Sequence, residues 1–276
     1  MGVGATSLDL ESLARLHERG VRDEEGVFLV EGVRFLVSAC DTGAEVVGVA
    51  ECRQLLRRGI GPLLVRRLRQ RGTPVVAVSP EELSGLSILG EPQGVLAVVR
   101  QRWSALPPPA EVGGGVWLAF ESVRSHGNLG TIVRTAQATG ARGVILLGNE
   151  VDPFDPRAVR PTMGAIFHQT MIRSSHRAFA RWKRSAGVTV IGTSAAGGSD
   201  YRDHRYRGPT VLMMGCERRG LSDAQRDHCD DVVRIPMRGG IDSLNLAVAT
   251  GVLLYEVSAQ RRPRARGRKR MRAARR

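Results

Sequence analysis

The sequence predicts an α/β protein built from two domains. Short runs rich in β-branched residues, such as residues 94–99 and 116–120, alternate along the chain with amphipathic segments of helical period. A stretch rich in Pro and then in Gly, residues 103–115, interrupts this alternation before the middle of the chain. At 276 residues the chain is long enough to give each part a core of its own. We therefore predict a small N-terminal α/β domain followed by a larger α/β domain.

The N-terminal part contains alternating candidate strands and helices. Strands are expected at residues 27–30, 46–49, 74–78 and 94–99, and helices at residues 8–19, 31–40, 63–71 and from Pro80 onward. Ser79 and Pro80 form a good helix start, because Ser caps free N–H groups and Pro is favoured at the first helical position.

The Pro/Gly-rich segment, WSALPPPAEVGGG, has the composition of a linker that is stiff and then flexible. The predicted organisation is a domain at residues 1–102, a linker at 103–115, a second domain at 116–260 and a disordered basic tail at 261–276.

The second domain alternates strands and helices in the βα order. Strands are expected at residues 116–120, 144–147, 188–192, 210–214 and 232–235, and helices at residues 130–139, 177–186 and 221–228. Residues 151–161 are expected to be irregular, and residues 162–172 to be an apolar packing stretch. This order predicts a parallel sheet with right-handed crossovers, and the general rules of topology predict no knot.

A last helix is expected from about Leu244 into the 250s. A strand ends at Pro236, a glycine turn follows, and Asp242 and Ser243 offer oxygens for the helix N-cap. The helix is apolar on nearly all sides, which predicts burial in a core or against another chain.

The formal net charge of +14 indicates a polyanionic partner. Much of the excess lies after Gln260, in a segment without acidic residues, which we expect to act as an electrostatic anchor for that partner. All cations except Lys183 and Lys269 are Arg. Arg suits bidentate phosphate contacts, and a GC-rich genome would produce the same skew.

Other classes of protein lack their signatures. The four cysteines form no CxxC pair and no His lies at metal-ligand spacing, so no metal site is expected. No signal peptide and no apolar run of membrane-spanning length occur, which favours a cytoplasmic protein. The glycine motifs of dinucleotide-binding and P-loop proteins are also missing.

Three stretches at strand-to-helix junctions carry polar residues and glycines together. Residues 127–147 contain Asn128, Gly130 and Arg134, and residues 215–222 contain Gly215, Glu217 and Gly220. The third stretch contains Ile235-Pro236-Met237 and Ser243-Leu244-Asn245. In this order they resemble the signature motifs of the SpoU/TrmH family of SPOUT-class RNA 2′-O-ribose methyltransferases, and the resemblance covers about residues 117–260.

The resemblance implies a fold and a cofactor. Members of this family have a C-terminal segment that threads through a loop to form a deep trefoil knot, an exception to the rule above. They use S-adenosyl-L-methionine, and the positions that match their cofactor site are Gly215, Ile235, Met237 and Leu244. The family also implies a homodimer and requires no metal.

The resemblance also implies a catalytic set: Asn128, Arg134, Glu217, Ser243 and Asn245. Arg134 matches the family's catalytic arginine. Because a guanidinium stays protonated, we expect it to orient a substrate phosphate and stabilise a developing alkoxide. Glu217 is expected to accept a proton or to hold Arg134 in place, and the remaining three to donate or accept neutral hydrogen bonds.

Some positions depart from the family pattern. Family members often carry Asp-Pro before the first-motif Asn, where this chain has Ser125-His126. Arg218 and Arg219 replace the small or acidic residues usual in the second motif, and they either contact RNA phosphates or only solvate a loop.

Residues 28–39 and 91–99 resemble the small RNA-binding domain that often precedes such catalytic domains, and this favours ribosomal RNA of the 23S type over tRNA. The alternatives are a tRNA 2′-O-methyltransferase, a non-catalytic RNA-binding or ribosome-assembly factor, and a methyltransferase acting on a base or a protein. A role in antibiotic resistance and a housekeeping role are equally compatible with the sequence.

Overall fold

The computed structural model describes residues 8–88, 90–217, 219–240 and 243–262. The N-terminal part of the chain folds around a four-stranded sheet in the order β1-β4-β2-β3. Its elements are α1 (Leu10–Arg15), α2 (Arg19–Glu25), β1 (Val27–Glu31), α3 (Val33–Asp41), β2 (Val46–Glu51), α4 (Gly61–Gln70), β3 (Val75–Ala77), α5 (Pro80–Leu86) and β4 (Val95–Arg100). Strand β4 is antiparallel to both β1 and β2, whereas β2 and β3 are parallel.

The rest of the chain folds around a seven-stranded sheet in the order β7-β6-β5-β10-β8-β11-β9, in which every neighbouring pair is parallel. The strands are β5 (Val116–Phe120), β6 (Gly143–Leu147), β7 (Thr170–Ser174), β8 (Thr189–Thr193), β9 (Ser199–Asp200), β10 (Thr210–Met214) and β11 (Asp231–Arg234). The helices are α6 (His126–Thr139), α7 (Pro156–Val159), α8 (His176–Ala186), α9 (Asp223–His228) and α10 (Leu246–Arg261). The predicted α/β class and the parallel sheet are confirmed.

Helices cover both faces of this sheet because alternate residues of a strand point to opposite sides. Leu118 and Phe120 of β5 are buried in the core shared with α6 and α10, whereas Trp117 and Ala119 are buried in the core beneath α8. The strands are therefore apolar on both faces, as expected for a parallel sheet between two helical layers.

Several element boundaries differ from the predictions. The helix expected at residues 8–19 is shorter, α1, and a second helix that was not predicted, α2, begins at Arg19. Helix α6 starts at His126 rather than Gly130, because the Ser125 hydroxyl caps it by accepting from the Asn128 backbone N–H at 3.2 Å. The stretch at residues 162–172, expected only to pack, runs into the edge strand β7.

Helix α10 begins at Leu246, two residues later than expected. Its N-cap is Asn245, whose side-chain oxygen accepts from the backbone N–H groups of Ala247 at 2.9 Å and Val248 at 3.3 Å. The prediction that Ser243 caps this helix was wrong, because Asn245 occupies that position; Asp242 lies outside the described residues. Arg261, expected at the start of the basic tail, is the last residue of α10, and its guanidinium donates to Gly208 O at 2.7 Å and Thr210 Oγ1 at 2.8 Å.

The two sheets share one continuous apolar core. Phe28 of β1 packs on Phe154 and Phe167, with ring centroids 4.8 Å and 6.0 Å apart. Beside them, the fully buried guanidinium of Arg22 donates to Asp152 Oδ2 at 2.6 Å. The N-terminal part is therefore fixed against the larger sheet by packing and by a buried ion pair.

The Pro/Gly-rich segment also packs against the larger sheet. Trp103 lies edge-on to Phe154 with centroids 5.1 Å apart, and the Arg173 guanidinium lies 4.1 Å from the Trp103 ring centroid. Further along, the Trp182 indole N–H donates to Pro107 O at 2.8 Å, and Val112 is buried. These contacts hold the segment along the surface, while the domain boundary placed there remains a prediction.

Candidate active site

The three motif stretches meet at one edge of the seven-stranded sheet. Strands β5, β10, β8 and β11 are consecutive neighbours in the sheet and all are parallel, so their carboxyl ends lie side by side. The segments that follow these strands are residues 121–125, 215–221, 194–198 and 235–245. Open α/β sheets bind ligands at this edge, where the chain order of the strands reverses direction.

A chain of three side chains joins these segments. Asn245 Nδ2 donates to Asn128 Oδ1 at 3.0 Å, and Asn128 Nδ2 donates to Glu217 Oε1 at 3.1 Å. These residues are separated by 117 and 89 positions in the sequence, and one comes from each motif. The structure thus brings together three of the five predicted catalytic residues.

The capping of α10 fixes the direction of this chain. Because Asn245 Oδ1 accepts from the start of α10, its amide nitrogen is turned toward Asn128. Asn128 must then accept with its oxygen and present its own nitrogen to Glu217. The other carboxylate oxygen, Glu217 Oε2, is buried and has no hydrogen-bond partner in the described part of the chain. The hydrogen-bonded series therefore ends on a buried carboxylate oxygen whose capacity to accept a hydrogen bond is unused in the described part of the chain.

Gly130 allows the helix that carries Asn128 to lie close to the next segment. A Cβ atom at Gly130 would clash with the backbone oxygen of Ala158 and with Pro161. Gly130 is therefore a packing residue that sets the position of α6.

Gly215 has a comparable role in the second motif. Cys216 and Gly220 exchange backbone hydrogen bonds of 2.9 Å and 3.0 Å, which closes a tight loop around Glu217. A Cβ atom at Gly215 would clash with the backbone of Gly220. We expected Gly215 to allow the close approach of a ligand. In the structure the missing side chain also allows the backbone of its own loop to approach closely.

The other predicted cofactor positions lie after β11 and before α10. Ile235, Met237 and Leu244 are half-buried, and Ser243 is exposed. In the described residues, the backbone groups of residues 235–237 make no backbone hydrogen bond. Pro236 has no N–H, so the unpaired groups are the N–H groups of Ile235 and Met237 and the three carbonyl oxygens. This suits the recognition of a flat heterocycle between apolar side chains.

Residues 194–198, which lie between the predicted strands and belong to none of the motif stretches, are beside this site in the structure. Ser194 N donates to Val233 O at 3.0 Å, and the Arg234 guanidinium donates to Gly197 O at 2.9 Å and Gly198 O at 3.0 Å. The Gly197-Gly198 pair was the available signal, since glycine after a strand permits close backbone approach.

Arg134 stands apart from the joined side chains. It lies exposed on α6, and its guanidinium makes no hydrogen bond or ion pair with the described residues. Arg219 is also exposed, and Arg218 lies outside the described residues. An unpaired, exposed guanidinium remains available for a phosphate or a developing negative charge.

The described residues offer neither a metal site nor a membrane-spanning helix. The described residues contain no group of three or more His, Cys, Asp or Glu side chains placed to hold a metal ion. None of the helices in the described ranges has the length and apolarity that crossing a bilayer requires.

Comparison with known protein families assigns both parts of the chain. Residues 115–255 match the SpoU rRNA methylase family, and residues 9–97 match the MRM3-like substrate-binding domain. The chain belongs to the SpoU rRNA methylase family. Asn128, Glu217 and Asn245, which are joined by hydrogen bonds, all lie within the segment that matches the SpoU family.

Similar proteins span nearly the whole length of this SpoU chain. A relative from Streptomyces viridochromogenes, a 23S rRNA (uridine(2479)-2′-O)-methyltransferase, is 36% identical over 90% of this chain and 88% of its own. The crystal structure of an AdoMet-bound rRNA methyltransferase from Sinorhizobium meliloti superposes with a TM-score of 0.83 at 35% identity, covering 95% of this chain and 99% of that one. The SpoU methyltransferase AviRb from Streptomyces viridochromogenes, in complex with AdoMet, gives a TM-score of 0.82 at 32% identity, covering 93% and 98%.

Proposed function

We propose that this protein transfers a methyl group from S-adenosylmethionine to a ribose 2′-hydroxyl of RNA, and that the RNA is ribosomal RNA of the 23S type. The observation that supports the proposal is the hydrogen-bonded series Asn245–Asn128–Glu217, which ends on a carboxylate oxygen without a hydrogen-bond partner in the described residues. The two similar proteins from Streptomyces viridochromogenes and Sinorhizobium meliloti are named for rRNA methylation, which favours rRNA over tRNA.

The residues at this edge fit S-adenosylmethionine. The open backbone groups of residues 235–237 suit an adenine edge, and Ile235, Met237 and Leu244 would provide apolar walls. Gly215 would line the same pocket through its backbone. When bound, the cofactor supplies a methyl carbon activated by a sulfonium.

The protein's own part in the reaction is to hold the ribose, to stabilise the negative charge that develops on its 2′-oxygen and to accept the proton of the 2′-hydroxyl. Glu217 Oε2, which has no hydrogen-bond partner in the described residues, would accept a hydrogen bond from the 2′-hydroxyl and take its proton as the hydroxyl attacks. Arg134 would bind the neighbouring phosphate and stabilise the developing alkoxide. Asn128 and Asn245 hold the Glu217 carboxylate in position, and Ser243 would donate or accept a hydrogen bond at the substrate.

We further propose that the protein acts as a homodimer and that its C-terminal segment forms a trefoil knot. Val248 and Tyr255 of α10 are 53% and 55% exposed, and Gly251 lies between them on the same face. An apolar stripe of this kind on a helix is typical of a surface that another chain covers. The four free cysteines agree with a reducing compartment, the cytoplasm.

The decisive experiment measures methyl transfer from labelled S-adenosylmethionine to total ribosomal RNA and to tRNA. The wild type is expected to place label in a 2′-O-methylnucleoside of rRNA. Arg134→Ala should lower kcat by about 10²–10³-fold, the loss typical for one group that stabilises transition-state charge. Arg184→Ala, an exposed arginine on α8, serves as the matched control.

The alternatives give different results in the same assay. Label in tRNA alone would make the protein a tRNA methyltransferase, and label in a base would exclude ribose chemistry. A wild type that binds cofactor and RNA but transfers no label would be a non-catalytic RNA-binding factor.

A further inference from the structure

A cavity lies between the two sheets, away from the motif residues. One side is formed by β1, α3 and the segment after α5, and the other by α7 and the residues that follow it. Its walls are mostly apolar, with Phe35, Ile88 and Val159 among them, and its polar groups include Glu31, Arg34 and Arg160. Apolar walls with a few convergent polar groups are typical of a site for a small, flat ligand.

The Glu31 carboxylate has one oxygen that lacks a hydrogen-bond partner among the described residues. Its Oε1 accepts from the Ser87 hydroxyl at 2.6 Å, whereas Oε2 is buried and makes no hydrogen bond with the described residues. Burial raises the pKa of the Glu31 carboxyl group, even though the hydrogen bond from Ser87, the positive charge of Arg160 and a hydrogen bond from the Ile88 backbone act in the opposite direction. A buried carboxylate oxygen without a donor is costly, and a ligand that supplies donors would remove that cost.

Two guanidinium groups line the same cavity. Arg34 and Arg160 are exposed, and neither makes a hydrogen bond or an ion pair with the described residues. They come from opposite sides of the cavity, one from α3 and one from the residue after α7. The cavity thus combines an acceptor in its wall with two cations that are free to bind phosphate.

We propose that this cavity binds an unstacked guanine of the RNA substrate. Guanine presents two adjacent N–H donors on its Watson–Crick edge, which match a carboxylate with an open oxygen, and the flanking phosphates would pair with Arg34 and Arg160. Uracil offers a single donor, and adenine and cytosine offer only an amino group beside an acceptor. The proposal rests on RNA being the substrate, as proposed above, and adds the base that is read.

The bound guanine is a neighbour of the methylated nucleotide rather than the methylated nucleotide itself. The segment that forms one wall of the cavity packs on its other side against α6, where Gly130 contacts Ala158 and Pro161. The cavity is therefore separated from Asn128 by this segment. Recognition of a flanking base between the two parts of the chain would fix the RNA relative to the catalytic edge.

The test uses the full-length chain and fluorescein-labelled heptanucleotides, UUUGUUU and its variants with A, C or U at the centre. Fluorescence anisotropy without S-adenosylmethionine is expected to show about tenfold tighter binding to the G-containing RNA, the discrimination typical of one bidentate contact. In Glu31→Gln an NH₂ group replaces one carboxylate oxygen and faces the N–H donors of guanine, so the variant should lose the preference for the G-containing RNA. Arg160→Met should instead weaken binding to all four RNAs.

The matched controls are Glu24→Gln and Arg184→Met, which change exposed residues outside the cavity and should leave the preference intact. Thermal melting checks that each variant is folded. As a measurement without any variant, RNA carrying 6-thioguanosine at its centre should crosslink to residues 29–35 or 156–163.

Equal binding of the four RNAs by the wild type, or a guanine preference that survives Glu31→Gln, would overturn the inference. A crosslink confined to other segments would do the same. If the wild type methylates rRNA in the assay above but shows no base preference, only this inference fails. A chain that neither binds these RNAs nor transfers methyl would overturn the proposed function as well.

Discussion

Asn128 accepts one hydrogen bond and donates another, and a carboxylate at this position could only accept, so the hydrogen bond to Glu217 would be lost. In Asn128→Asp, a carboxylate oxygen would face Glu217 Oε1 where an N–H donates across 3.1 Å in the wild type. Like charges at this separation raise the pKa of one partner. We expect kcat for methyl transfer to fall by about 100-fold at neutral pH.

The pH profile of Asn128→Asp distinguishes this role from a structural one. The introduced carboxyl group and Glu217 can form a hydrogen bond only when they share a proton. Because the two groups gain that proton as the pH falls, the variant should recover part of its activity in acid relative to wild type. The control is Asn149→Asp, an exposed asparagine outside the site. A uniform loss of activity at every pH would contradict the proposed polarity of the chain.

His228 predicts a loss of stability in mild acid. Burial lowers its pKa below the ordinary 6.5, and the neighbouring His176, whose Nδ1 lies 3.1 Å from His228 Nε2, and Lys183 act in the same direction, while Asp227 and Glu121 oppose them. The unfolded chain then binds a proton more readily than the folded chain. The stabilising effect is complete above pH 6.5 and is lost as the pH falls through the lower folded pKa.

Urea unfolding at pH 7.5 and at pH 5.5 measures this effect. The wild type should unfold at lower urea in acid, and His228→Gln should reduce that difference. His168→Gln, at an exposed histidine, is the control and should leave the difference unchanged. An identical pH dependence in wild type and His228→Gln would rule out His228 as its source.

At the scale of elements, Gly130 sets how closely α6 approaches α7 and the residues after it. Gly130→Ala would bring a methyl group against the backbone oxygen of Ala158, which cannot move independently of its segment. Overpacking of this kind costs about 1–3 kcal/mol of the free energy of unfolding. We expect urea denaturation to show this loss, together with weaker methyl transfer because α6 carries Asn128.

The control for this element is Gly85→Ala in α5, where an added Cβ meets no atom within 4 Å. Alanine is the better helix former, so this variant should gain about 0.5–1 kcal/mol. Equal stability changes in the two variants would show that Gly130 does not control helix packing.

Local sequence signals predicted most elements, and long-range contacts explain the differences. The strand at residues 116–120 and the helix start at Ser79 and Pro80 are set by neighbouring residues, and the structure contains both. The cap of α10 was assigned to Ser243 because Ser, Asp and Asn compete locally for that position. In the structure Asn245 is the cap, and its side chain also donates a hydrogen bond to Asn128, 117 residues away. Nothing in the neighbouring sequence predicts that hydrogen bond.

The candidate site was predictable to a similar degree. Motif spacing identified Asn128, Glu217 and Asn245, but only the folded sheet reveals that they form one hydrogen-bonded chain. The loop at residues 194–198 and the cavity at Glu31 were missed, because each depends on which strands and segments become neighbours.

At the scale of the whole molecule, the exposed stripe on α10 predicts how the chain assembles. Tyr255→Glu places a charge in the proposed dimer interface and should convert a dimer to a monomer in light scattering coupled to size-exclusion chromatography. Leu63→Glu, at a leucine of α4 that is 64% exposed, is the matched control and should not change the mass. A wild type that elutes as a monomer at micromolar concentration would contradict the dimer.

The shared core has a consequence for how such proteins can be recombined. Phe28 of the first sheet packs on Phe154 and Phe167 of the second part, and Arg22 holds a buried ion pair with Asp152. The two parts of the chain are therefore not interchangeable modules, although the composition of residues 103–115 suggests a simple joint. A chimera that takes its N-terminal part from a relative must also take the residues that pack on Phe28 and pair with Arg22. Exchange of the N-terminal part can therefore bring new RNA targets only from relatives with a matching interface.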